Sequence, residues 1–146
     1  PFNLMASRYH SSRFDLQGWH SNILSMWLRH AREYLGETNY LKNKVVVNFN
    51  RWAADAEYRK SLAEELGLNF TDRGADTVPE FGGGSSFDRQ NYDGKARSMN
   101  VAKRWQLLEG HSEFRSLFKN IEILEYSRRI FGEVPDTERL FDANKR

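Results

Sequence analysis

The sequence predicts an α/β chain, mostly helical, with one clear buried strand. Two observations carry that expectation. Trp19, Ile23, Trp27, Ala31 and Tyr34 recur at helical spacing and make a strong apolar stripe. The run Lys44-Val45-Val46-Val47-Asn48-Phe49 has three consecutive β-branched residues and passes straight into a helical pattern. Such a run reads as a strand buried on both faces, as in a parallel sheet. A third observation concerns what is lacking. One strand among five or six helices has no neighbour to satisfy its backbone, so the chain reads as part of a larger fold.

The elements follow in order. Residues 2–14 read as a helix with Pro1 in its first turn, where the missing N–H costs nothing. Asp15 is the expected N-cap of a second helix that runs to Leu35 and stops at Gly36. Residues 39–44 are a loop, and the strand of residues 44–49 comes next. A helix spans residues 52–66 and ends at Gly67. Residues 69–96, with Gly82-Gly83-Gly84 among Asp, Asn and Ser, form a long loop of the kind that carries function or motion. Helical periodicity returns over 98–108, 112–119 and 121–131, and Pro135 opens a polar tail.

At 146 residues the chain is a single domain by length, residues 1–146. Ten Phe, six Tyr and four Trp favour a packed core over disorder. A net charge of +2 gives no broad nucleic-acid surface. No apolar run nears the ~20 residues of a membrane span, and no signal peptide is expected. With no cysteine, disulfides, thiolate catalysis and Cys-based zinc sites are excluded, and a cytoplasmic location is expected. His10, His20, His30 and His111 show no metal-ligand spacing, and no metal is expected. There is no Gly-x-Ser-x-Gly elbow and no P-loop.

Four segments carry possible chemistry. Pro1-Phe2-Asn3-Leu4-Met5-Ala6-Ser7 opens a helix on Pro and places a Ser six residues later. The unit from Val45 through Phe49-Asn50-Arg51-Trp52 leads into a helix closing on Leu66-Gly67-Leu68. Ser85-Ser86-Phe87 follows the glycine cluster, whose backbone can approach a ligand closely. Lys95-Ala96-Arg97 precedes Lys103-Arg104-Trp105. In this order they resemble the cofactor segments of the sulfotransferase family over roughly the first 105 residues.

That resemblance implies the C-terminal half of a P-loop NTPase-like fold, with the P-loop and catalytic base upstream. The enzyme would transfer a sulfuryl group from 3′-phosphoadenosine 5′-phosphosulfate (PAPS) to a hydroxyl or amine acceptor. No catalytic residue falls in this chain, which by itself is expected to be inactive. Ser7 would touch the 3′-phosphate, with the family's Arg lying just before Pro1. Phe49, Ser85, Ser86 and Phe87 would surround the adenine. Arg97, whose fork suits phosphate oxygens, would close over the 3′-phosphate, with Lys95 a further candidate. The sequence departs from the family at several points. Phe49 stands where the family has Tyr, Asn50 and Arg51 replace two acids, and the Gly expected after Arg97 is missing. Expected partners are the nucleotide and an acceptor, with a homo-oligomer or the upstream half covering the strand's edge.

The same residues admit other readings. Pro1 and Ser7 suit any helix start, Phe49 suits a core, and the basic segment suits a solvated helix face. A non-catalytic helical interaction module, or a sulfotransferase-like protein that only binds, remains open.

Overall fold

Pro1 is followed at once by a helix, α1, Phe2–His10. In a computed structural model of the chain, residues 1–10 and 16–141 are described, with side chains omitted for 16–22. The expected extension of α1 to residue 14, the Asp15 cap and the packing of Trp19 lie outside the described residues. The remaining helices are α2 (Leu16–Tyr34), α3 (Phe49–Ala54), α4 (Ala56–Glu65), α5 (Ser112–Ser116) and α6 (Ile121–Phe131). Short 3-10 segments lie at Phe81–Gly83, Ala96–Ser98, Val101–Leu108, Leu117–Lys119 and Thr137–Leu140. The chain folds as two units, Pro1–Lys42 with Lys103–Arg146, and Asn43–Ala102.

The first unit is built on aromatic packing. Phe2, Met5 and Ala6 of α1 are buried, as are Trp105, Phe114 and Phe118. The Phe2 and Phe118 ring centroids lie 5.0 Å apart, and Phe114 meets Phe118 edge-on at 5.2 Å. Such pairs add about 0.5–1.5 kcal/mol to the area they bury. Trp105 is 1 % exposed, and its backbone N–H donates to the Asn3 side chain at 3.2 Å. Ile23, Leu28 and Ala31 give α2 its buried face, while Trp27 and Tyr34 are half-buried. Ion pairs join α2 to α6: Arg32 meets Glu122, and Glu37 just beyond α2 takes Arg129 and the Tyr126 hydroxyl, both at 2.5 Å. α6 starts at the Asn120 cap, whose side chain accepts from the Glu122 N–H, and ends at Gly132.

The second unit overturns the α/β expectation. Among the described residues no strand or sheet forms, and the sole β-type pairing is the isolated bridge between Ser85 and Arg89. Residues 44–48 run without turn or bend, but Val46 is 38 % exposed and Val47 is 50 % exposed. A strand is defined by a neighbour that accepts and donates its backbone bonds, and none is present among the described residues. Phe49 is not the end of a strand. It is the first residue of α3, because the buried Asn48 caps that helix by accepting from the Arg51 N–H at 3.2 Å. The Asn48 N–H in turn donates to the Tyr58 hydroxyl at 3.0 Å.

The single helix expected over 52–66 is two. Asp55 breaks it with an extended backbone, ends α3, and caps α4 by accepting from the Tyr58 N–H at 3.0 Å. α4 closes as expected at Gly67, whose φ of +67° lets Leu68 N–H reach the Ala63 carbonyl and Gly67 N–H reach that of Glu64. The loop of residues 69–96 is long, as expected, but tied down. Val78 is buried and donates its N–H to Asp93 at 2.9 Å, and Gln90 donates to the Pro79 carbonyl at 3.0 Å.

Candidate functional site

The second unit contains a cleft of about 180 Å³. One wall is α3, contributing Phe49, Asn50, Ala53 and Ala54. The other is the segment after the long loop, contributing Arg97, Met99, Asn100 and the two residues that follow. Two side chains expected at a nucleotide from sequence, Phe49 and Arg97, thus line one cleft. Complete small-molecule sites are about 300–1,000 Å³, so this volume suits one end of a nucleotide.

Phe49 is 56 % exposed and stacks on Trp52, with centroids 6.0 Å apart and planes at 21°. A half-exposed ring backed by a second ring is a ready platform for a planar base. Asn50 and Asn100 add amide donors and acceptors to the lining.

Arg97 is held from behind by two carboxylates. Its backbone N–H donates to Asp76 Oδ1 at 3.1 Å, and its Nε lies 3.5 Å from Asp76 Oδ2. Its Nη2 donates to the Asp72 carbonyl at 3.1 Å and to Asp72 Oδ2 at 3.4 Å. Nη1 has no partner among the described residues, and the side chain is 54 % exposed. Asp72 is itself clamped by Arg59, through Nε to Oδ1 at 2.8 Å and Nη2 to Oδ2 at 2.7 Å. Arg59 spends its last nitrogen on the Trp52 carbonyl at 2.6 Å. The hydrogen bonds from Arg59, then its charge and that of Arg97, hold the Asp72 carboxyl below its ordinary value.

The other expected residues are placed elsewhere. Ser85 closes a small turn: its N–H and carbonyl pair with Arg89 at 3.0 and 2.9 Å, and its Oγ accepts from the N–H of Phe87 and of Asp88. Ser86 and Phe87 are half-buried in that turn and do not line the cleft. Lys95 places its ammonium 5.6 Å from the Tyr92 ring centre. Ser7 sits half-buried on α1, in the other unit. Trp105, in the expected final cofactor segment, is a core residue of that unit. Asp72, Asp76 and Arg59 were not singled out from sequence. The only signal was opposite charge, which does not reveal partners 13 to 25 positions apart.

No protein-family model, curated protein or solved structure matches the chain. Among the described residues no His, Asp and Glu cluster could hold a metal, and no helix is long and apolar enough to cross a membrane.

Proposed function

We propose that this chain supplies part of the nucleotide site of a PAPS-dependent sulfotransferase. The observation that carries the reading is the convergence of Phe49 and Arg97, 48 positions apart in the chain, on one cleft. An aromatic platform beside a guanidinium fits a base and a phosphate together. The exposed Phe49 face would stack on the adenine, and Arg97 would offer Nη1 to the 3′-phosphate. The cofactor would supply the activated sulfuryl group. Transfer is an in-line displacement that depends on positioning and charge stabilisation, and this chain's part in it is to hold the nucleotide.

Calorimetric titration with adenosine 3′,5′-bisphosphate and with adenosine 5′-monophosphate tests the reading. Arg97→Ala should weaken the bisphosphate by about 1.5–3 kcal/mol, roughly 10- to 150-fold, and leave the monophosphate nearly unchanged. Equal losses for both ligands, or none, would refute it.

A second reading has its own support. Val46, Val47, Phe49 and Trp52 are all at least 38 % exposed and close in sequence. An apolar surface of this kind suits a protein contact, and as an interaction module the chain would associate through it. Binding of the nucleotide with no loss on Phe49→Ala, together with dissociation of an oligomer on Val47→Lys, would favour that reading over the first.

A further inference from the structure

We infer that Asp72 is a positioning residue, which sets the Arg97 guanidinium at the cleft so that its free nitrogen faces a bound phosphate. The inference rests on the nucleotide reading above and names a residue that the resemblance does not. Three geometric facts support it. Asp72 accepts from Arg59 through both carboxylate oxygens, so its plane is set by a two-point fork. Arg59 has no freedom to follow Arg97, because its third nitrogen is bound to the Trp52 carbonyl and its side chain is only 13 % exposed. Asp72 grips Arg97 twice at the same nitrogen, with its carbonyl and with Oδ2, which leaves Nη1 as the unspent donor.

Asp76 is not equivalent. It holds the Arg97 backbone N–H and lies against Nε, so it places the base of the side chain. Asp72 sets the far end. The Arg59–Asp72 pair therefore transmits the geometry of α4 to the cleft. Trp52, whose carbonyl anchors Arg59, also backs the ring of Phe49. Platform and guanidinium are registered to each other through one arginine.

The sign of one substitution separates positioning from simple charge. Asp72 carries a negative charge 3.4 Å from Arg97 Nη2. If charge alone mattered, Asp72→Asn would raise affinity for an anion, since it removes repulsion. If Asp72 positions Arg97, the same change lowers affinity although the site becomes more positive. An aligned, preordered guanidinium loses less freedom per bond formed than a loose one.

The test uses the full chain, with adenosine 3′,5′-bisphosphate as the probe. Asp72→Asn should weaken binding about tenfold, the monophosphate should be indifferent, and Arg59→Lys should do the same as Asp72→Asn because a single ammonium cannot grip both oxygens. A separate readout needs no ligand. Hindered rotation about the Arg97 Nε–Cζ bond should give resolved Nη resonances in the wild type and averaged ones in Asp72→Asn. Unchanged or tighter bisphosphate binding in Asp72→Asn, with Arg97→Ala still weakening it, overturns the positioning role and leaves the nucleotide reading intact. Averaged Nη resonances in the wild type overturn it as well. No response of binding to Arg97→Ala, with the Nη resonances behaving as expected, leaves Asp72 as the residue that orients Arg97 and removes the nucleotide from the reading.

Discussion

Gly84→Ala is the substitution whose cost is most directly written in the geometry. Gly84 has φ +83° and ψ −150°, a region essentially closed to residues with a side chain. Entering it costs about 1–3 kcal/mol. A Cβ there would lie 2.6 Å from the Arg89 carbonyl oxygen and 2.7 Å from its carbon, so backbone must move. That movement breaks the reciprocal Ser85–Arg89 bonds, each worth about 1 kcal/mol net. The total is about 3–5 kcal/mol. Gly82 supplies the control. It also has positive φ, at +72°, but nothing lies within 4 Å of its Cβ position. Gly82→Ala should cost only the left-handed penalty, about 1 kcal/mol. Because the loop can open by itself, global denaturation understates the loss, and amide exchange is the more faithful assay. The Ser85 and Arg89 amides should exchange at least about two orders of magnitude faster in Gly84→Ala and change far less in Gly82→Ala. Equal effects of the two substitutions would show that the ring from Ser85 to Arg89 does not close against Gly84.

Other outcomes follow from the same structure. Phe114→Ala empties a site that is 0 % exposed and should cost about 3–5 kcal/mol in urea denaturation. Asp55→Ala removes the side-chain cap of α4 and should cost about 1 kcal/mol, visible as a lower denaturation midpoint with unchanged slope. The Asp72 carboxyl is lowered mainly by hydrogen bonds from Arg59, so its stabilisation is complete above the ordinary value of about 3.9 and is lost as pH falls through the folded value. Asp72→Asn should accordingly flatten the decline of stability below about pH 4, and an unchanged acid limb in urea titrations would contradict that linkage. Val47→Lys should reduce any self-association seen in sedimentation, since it places a charge on the exposed segment of residues 44–48.

Much of the helical structure was legible because its causes are local. The helix expected near residues 121–131 is α6, and Asn120 and Gly132 supply its ends. The stop of α4 at Gly67 needed only a residue free to take positive φ. The break at Asp55 between α3 and α4 was not legible. Helical patterning continues across it, and a single carboxylate cap interrupts the helix without disturbing that pattern. The candidate site was legible in part. Phe49 and Arg97 were singled out and share a cleft, whereas Ser85, Ser86, Phe87 and Lys95 are engaged away from it.

The sequence by itself determined that helices dominate, that α4 closes at Gly67 and that α2 carries an apolar stripe, because side-chain spacing and capping within a helix act over three or four residues. Tertiary structure decided the rest. Val45, Val46 and Val47 have strand-forming side chains, but a strand needs a second backbone, and among the described residues none pairs with it. Trp105 became core and not a cofactor contact because Phe2, from the far end of the chain, packs beside it. The chain from Arg59 through Asp72 to Arg97 spans 38 positions, and no local rule brings those charges together. They meet because the tied-down loop of residues 69–96 brings residue 97 to the cleft that α3 lines.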